Sequence, residues 1–240
     1  MITTENLTVT YDNQKEILHQ ININIESPGI YGILGPNGAG KSTLMKALLH
    51  LIPFQGRVQI GDEQEGVPKH QVAYVEQRSH IDFNFPITVR ECVSLGTFST
   101  IGIGHCLGRK QYDKVDYYLQ EVGLSEYANH SIKALSGGQF QRMLVARCLV
   151  QEKDYIFLDE PFVGIDSVSE AIIVKLLKAL KEQGKIILVV HHDLSKVETY
   201  FDHVILLNQK LMAYGEVSKT FTIDHLSKTY GDELIFCGKE

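Results

Sequence analysis

The run "GPNGAGKST" (35–43) lies between an apolar stretch, "IYGIL" (30–34), and a segment with helical spacing, "LMKALLHLI" (44–52). Few folds can follow from a glycine-rich loop held between a buried strand and a helix. Gly35, Gly38 and Gly40 let the loop wrap closely, so that main-chain N–H groups converge on an anion, and the start of the helix adds its partial positive charge. The spacing G-x-x-x-x-G-K-[ST] is met over 35–42 in the strand–loop–helix context it requires. Such a loop cradles phosphates. Lys41 is placed to reach the β- and γ-phosphates of a nucleotide, the Ser42 hydroxyl to ligate Mg²⁺, and Thr43 to add a phosphate contact.

The remainder of the chain alternates in the way that loop demands. Leu7, Val9 and Tyr11 alternate, as do Ile21, Ile23 and Ile25, and short strands are expected at 57–60, 72–75, 155–158 and 185–190. Between about 78 and 150 the character turns helical. "TVRE" (88–91) reads as a capping box, "STIGIGHCLG" (99–108) as a glycine-rich loop, and "YDKVDYYLQEV" (112–122) as a helix stopped by Gly123. A second capping box, "SVSE" (167–170), opens a helix with Ile173, Leu176, Leu177 and Leu180 on one stripe, ending at Gly184. Continuous apolar strands alternating with helices predict an α/β fold with a mainly parallel sheet covered on both faces and a helical insertion. A short helix and a hairpin over 203–215 close the core, and the segment after 220 has no assignment.

Composition narrows the function. At 240 residues and 44% hydrophobic the chain can bury a large core, and 23 basic against 29 acidic residues give a net charge of −6, which weighs against a general nucleic-acid binder. Cys92, Cys106, Cys148 and Cys237 are scattered without a C-x-x-C, which fits a reduced, cytosolic chain, and His105 beside Cys106 is not a metal spacing. No apolar run approaches the ~18 residues of a membrane span, and the first residues lack the pattern of a targeting segment.

Two further motifs carry chemistry. "YIFLDE" (155–160) is an apolar strand ending in two carboxylates at the edge where ligands sit in open α/β sheets. Asp159 is placed to hold Mg²⁺ through its water shell, and Glu160 to polarise an attacking water. "LSGGQ" (135–139) puts a helix N-cap, Ser136, before Gly137 and Gly138, whose bare N–H groups make a second anion site. With no lysine it is half of a site, and its other half comes from this chain folded back or from another copy.

Together these motifs resemble the ATP-binding-cassette ATPases over nearly the whole chain. The resemblance implies a phosphate-loop NTPase core with an N-terminal antiparallel β sub-domain (1–77 and 151–220), a helical sub-domain carrying LSGGQ (about 78–150) and a C-terminal tail (221–240). It implies that the LSGGQ of one subunit closes over the ATP on the other's phosphate loop. It makes nucleotide contacts of Gly35, Asn37, Gly38, Gly40, Lys41, Ser42 and Thr43, and of Ser136, Gly137, Gly138 and Gln139. Tyr11 matches the residue that stacks on adenine, although it could be an ordinary strand aromatic. Gln77 matches the glutamine that ligates Mg²⁺ and water and senses the γ-phosphate. Asp166 in "GID" matches the loop facing the other subunit. His192, directly before "DL", matches the switch histidine, while His191 can simply be buried.

Residues 74–96, 136–151 and 159–170 are similar to ATPase subunits of manganese- and zinc-type metal importers, the manganese branch most of all. That likeness implies a membrane permease seated near Phe83, Phe85 and Pro86, an extracytoplasmic metal-binding protein beyond it, and a place on the cytoplasmic face of the cell membrane. Those aromatics could instead fill the helical sub-domain's core. A soluble mechanical ATPase is a second reading, opposed by the single cassette and the absence of a heptad run. A transporter ATPase for zinc, iron, a siderophore or an exported compound is a third.

Overall fold

The computed structural model describes residues 1–11, 15–61, 71–76, 85–102 and 106–231. Along the chain come strands β1 (Ile2–Tyr11), β2 (Lys15–Ile25) and β3 (Gly29–Leu34), helix α1 (Lys41–Leu48), and strands β4 (Gln55–Ile60) and β5 (Val72–Val75). Helices α2 (Val89–Ser94), α3 (Phe98–Ile101), α4 (Arg109–Glu121) and α5 (Gly137–Leu149) follow. Strand β6 (Tyr155–Asp159), helix α6 (Ser167–Glu182), strand β7 (Ile186–Val190) and helix α7 (Val197–Tyr200) come next. Strands β8 (His203–Asn208) and β9 (Lys210–Glu216) and helices α8 (Val217–Thr220) and α9 (Ile223–Tyr230) complete the order. The chain divides into two compact units, Met1–Gln71 with Leu188–Glu240, and Val72–Ile187.

In the first unit β1 pairs antiparallel with both β2 and β4; of the residues expected to alternate, Leu7, Val9, Ile21, Ile23 and Ile25 are buried and Tyr11, at the strand's end, is exposed. Strand β3 is buried at every residue and runs parallel to β8, in register Gly32 with Val204 and Leu34 with Leu206. A strand covered on both faces must be apolar throughout, which is why "IYGIL" shows no alternation. Strand β8 turns back antiparallel into β9, as the hairpin reading expected.

In the second unit β5 runs parallel to β6, with Tyr74 opposite Phe157. Thr88 caps α2 as the sequence predicts: its hydroxyl accepts from the Glu91 N–H at 3.2 Å, and the Glu91 carboxylate accepts from the Thr88 N–H at 2.7 Å. Helix α4 ends at Glu121, with Gly123 in the left-handed region, φ 65°. Strand β7, buried throughout, spans the division between the units.

Three sequence expectations change. The cap of α6 is Asp166, not Ser167: its carboxylate accepts from the Ser169 N–H at 2.9 Å and the Ser169 hydroxyl at 2.8 Å. A carboxylate one residue upstream can take both donors, so the "SVSE" box does not form. Residues 99–101, expected as the start of the 99–108 loop, belong to the helical turn α3, stopped at Gly102 with φ 82°. The unassigned segment after 220 contains α9, opened by Thr222 accepting from the His225 N–H at 3.4 Å. Replacing Thr88 with alanine should cost about 1 kcal/mol, and a thermal melt should show it as a fall of about 2–4 °C.

Candidate functional site

In the first unit the loop after β3 is built around Lys41. Lys41 is 7% exposed, and its ammonium donates to the Gly35 carbonyl at 2.7 Å and the Pro36 carbonyl at 2.8 Å. A cation that far from water needs partners, and the loop supplies its own carbonyls. Helix α1 starts at Gly40, φ 94°, with no side-chain cap and no acidic residue in its first turn. The helix dipole favours an anion at such a mouth, and no acidic side chain competes for the place. Ser42 and Thr43 are half-buried on that turn, and Asn37 and Gly38 are exposed at the crest. Gly38 is needed for its backbone, φ 79°, since nothing lies within 4 Å of a Cβ there. Gly40 is needed also for space: a Cβ would stand 2.6 Å from Leu18 Cδ2.

His191 and His192 separate clearly. His191 is 3% exposed, its N–H donates to the Ile33 carbonyl at 3.1 Å, and its ring meets Phe201 edge-on at 5.5 Å. His192 is exposed, as a residue that touches a ligand must be. Asp193 next to it caps the turn that follows, accepting from the Ser195 hydroxyl and N–H at 2.6 and 2.9 Å, which holds its carboxyl below the usual range. Tyr11 closes β1 at 40% exposure, so its ring is open to a planar partner.

In the second unit β6 ends as the sequence expects. Asp159 is 2% exposed, and Glu160 follows half-buried at φ 52°. A left-handed glutamate is strained by roughly 1–2 kcal/mol, and such strain gathers where a side chain is aimed for function. Beside it, burial first and then the charges of Asp159 and Glu76 push the Tyr74 phenol well above its ordinary value. Gln77 lies outside the described residues.

The same unit brings Ser136, Gly137, Gly138 and Gln139 together with Asp166. Ser136 caps α5, accepting from the Gln139 N–H at 3.3 Å, while Gln139 Oε1 accepts from the Ser136 N–H at 2.8 Å. Gln139 thus serves the cap with its oxygen. The N–H groups of Gly137 and Gly138, in the first turn, have no intrahelical acceptor. Gly138 has a second reason to be glycine, which the sequence did not reveal. It is buried, and a Cβ would collide with the Asp166 carboxylate and the Ser169 hydroxyl and stand 2.9 Å from Ser169 Cβ. The mouths of α5 and α6 are packed on each other at this residue. Hydrogen bonds from Ser169 lower the Asp166 pKa, so this cap is charged at neutral pH and is lost only as pH falls through that depressed value.

Phe85 is 55% exposed, with Pro86 also exposed. The chain just after them is fixed: the Val89 and Arg90 N–H groups donate to the His130 and Ala128 carbonyls, each at 2.9 Å, and Ile132 N–H donates to Ile87 at 3.2 Å. Phe85 is therefore held out in solvent and does not fill the core. Phe83 lies outside the described residues.

A phosphate-cradling loop between a buried parallel strand and an uncapped helix, with paired acids ending another parallel strand, defines a phosphate-loop nucleoside triphosphatase. The sequence model of the ABC transporter family matches residues 18–163. The chain is 46% identical over its full length, and 96% of the relative's, to the manganese transport system ATP-binding protein MntB of Halalkalibacterium halodurans. It is 42% identical, over 97% of its own length and 88% of the relative's, to the zinc transport system ATP-binding protein TroB of Treponema pallidum. A solved ATP-binding cassette, in a dimeric post-hydrolysis state bound to ADP and Pi, superposes with a TM-score of 0.78 at 28% identity, covering 90% of this chain and 99% of that one. The chain belongs to the ABC transporter family, as its ATP-hydrolysing component. Among the described residues no helix is long and apolar enough to cross a membrane.

Gly138→Ala should cost roughly 1–3 kcal/mol of overpacking and lower Tm by several degrees at about 2–4 °C per kcal/mol. Gly137→Ala, at a half-buried first-turn position, should cost less; differential scanning calorimetry separates the two.

Proposed function

We propose that this chain is the ATP-hydrolysing subunit of an importer for divalent metal ions, manganese foremost, and that it works as a dimer closed by ATP on the cytoplasmic face of the cell membrane. The observation that carries the metal assignment is identity of 46% along the entire chain to a manganese transport ATP-binding protein. Zinc is the second reading, favoured by the zinc transport relative at 42%.

The division of labour follows from the two helix mouths. The α1 mouth has a lysine and a hydroxyl; the α5 mouth has two glycine amides and no cation. Each alone is half of a triphosphate site, and two copies facing each other supply both halves twice. ATP sits on Gly35 to Thr43 with its adenine on Tyr11, and the partner copy's Ser136, Gly137, Gly138 and Gln139 close over the γ-phosphate, with Asp166 beside them. Support for a dimer comes from the cassette of similar fold that is dimeric with ADP and Pi.

Hydrolysis needs an in-line water. Glu160 orients it and takes its proton as the oxygen bonds to the γ-phosphorus, while the bond to the bridging oxygen breaks and ADP leaves. His192 and Gln77 hold the γ-phosphate and the water in line. The donors available for Mg²⁺ are the Ser42 hydroxyl, the Asp159 carboxylate and the Gln77 amide, all oxygen, which suits a hard cation. When bound, Mg²⁺ neutralises charge building up on the phosphates.

The product charges repel, the copies part, and a permease is moved. Exposed Phe85 and Pro86, on a segment pinned by main-chain bonds, suit a docking point for a short permease helix, together with Phe83. A separate extracytoplasmic protein delivers the metal.

Glu160→Gln should bind ATP, hydrolyse it very slowly and elute as a dimer in gel filtration with ATP; a monomer at saturating ATP would sink the two-half-site scheme. Lys41→Ala should lose nucleotide affinity outright. Phe85→Ala should keep nucleotide binding and lose manganese uptake in vesicles carrying the permease, and unchanged uptake would refute the docking point. ATPase stimulation by the binding protein loaded with manganese or with zinc decides between the two metals.

A further inference from the structure

The first turn of α5 is held from the side by the start of α6. Ser169 is 1% exposed, and both of its donors go to Asp166: the N–H to Oδ1 at 2.9 Å and the hydroxyl to Oδ2 at 2.8 Å. The bond from the N–H is the helix cap. The bond from the hydroxyl is additional, and it fixes where the second carboxylate oxygen lies. That oxygen lies on Gly138. The three atoms nearest to a Cβ placed there are Asp166 Oδ2, Ser169 Oγ and Ser169 Cβ. The Ser169 side chain and the carboxylate it steers thus form the surface on which the Gly138 backbone rests.

Four residues along, on the same face of α5, Arg142 donates to the Val122 carbonyl at 2.5 Å and the Gly123 carbonyl at 3.3 Å, just past the end of α4. Two holds about one turn apart fix both the rotation of a helix and its advance along its axis. The Arg142 hold is made by a long side chain. The Gly138 hold is made on the backbone itself, in the turn whose amides form the half-site. A carboxylate beside an anion site would repel the anion, so its presence here calls for a reason. Ser169 supplies one: two donors and the N-terminus of α6 offset the charge, and the carboxylate serves as a spacer between the two helix mouths.

We propose that Ser169 is a positioning residue for the LSGGQ half-site: by tying Asp166 Oδ2 down beside Gly138, it sets the first-turn amides of α5 where the triphosphate of a second copy meets them. This rests on the two-copy reading above and not on the identity of the metal. Ser169 is buried, touches no nucleotide and acts through the α5 backbone. Nucleotide affinity of a single copy belongs to residues 35 to 43 and does not depend on it, so its removal separates binding from dimer closure.

The test is Ser169→Ala, which deletes one oxygen and keeps the N–H of the cap, placed in the Glu160→Gln protein and followed by analytical ultracentrifugation at saturating ATP. The dimer Kd should rise about tenfold to thirtyfold, since one ordinary hydrogen bond is worth about fivefold and each dimer carries two altered mouths. The Kd for trinitrophenyl-ATP, measured on protein too dilute to dimerise, should stay within about twofold. Thr88→Ala, which loses a cap in the same unit, is the control for lost stability, and its dimer Kd should not move. Gly138→Ala presses on the same contact from the other side. Adding Ser169→Ala to it should therefore raise the dimer Kd by much less than the product of the two single effects. An unchanged dimer Kd in Ser169→Ala, an equal rise in Thr88→Ala, or effects that simply multiply with Gly138→Ala would overturn the proposal, by making the serine inert, merely structural or independent of Gly138. Failure of Glu160→Gln itself to dimerise with ATP would instead overturn the two-copy reading, and this proposal with it.

Discussion

A lysine buried to this degree needs partners for its ammonium, and the arrangement of the phosphate loop follows from that constraint. Lys41 must have partners, so the loop curls until the Gly35 and Pro36 carbonyls reach it. The curl forces the left-handed turns at Gly38 and Gly40. It also leaves the first turn of α1 without a capping side chain or an acid. These features suit an anion that would displace the carbonyls from the ammonium and occupy the helix mouth in one step. The loop thus satisfies its own lysine, and an anion bound there would exchange internal hydrogen bonds for phosphate ones.

What the sequence made legible was whatever depends on local pattern. The Thr88 and Ser136 caps, the buried runs of β3, β6 and β7, and the stripe of α6 are encoded within a few residues of where they act, so spacing alone finds them. The acids ending β6 were legible for the same reason. The burial of His191 was legible as well, since its ring packs on Phe201 while His192 is exposed.

What stayed hidden depends on contact between distant segments. Nothing near Gly138 says that Asp166 and Ser169 will press on it. For that reason its bare backbone reads from sequence as a ligand site alone, when it is also the point where two helix ends touch. The misplaced cap of α6 has the same origin on a smaller scale: Asp166 and Ser167 are both good caps, and the choice between them turns on which oxygen can take both Ser169 donors. The C-terminal helix is a different kind of miss. Thr222 before an apolar residue and Gly231 after Tyr230 bracket it in the sequence as plainly as Thr88 brackets α2. Its packing was not legible, because no pattern links Thr229 to Asn208.

These hidden contacts share a logic. Each ties a glycine-rich backbone to a second element: Gly138 to the cap of α6, and the phosphate loop to the β8–β9 turn. Main-chain amides bind phosphate well only if they are held in place beforehand, since ordering them at the moment of binding costs conformational entropy. Side chains can be aimed by local packing, but a loop of small residues has none to pack, so its rigidity has to come from neighbours that touch its backbone. That explains why residues remote in sequence, Leu207 and Gln209 at one of these glycine-rich stretches and Asp166 and Ser169 at the other, come close to the main chain.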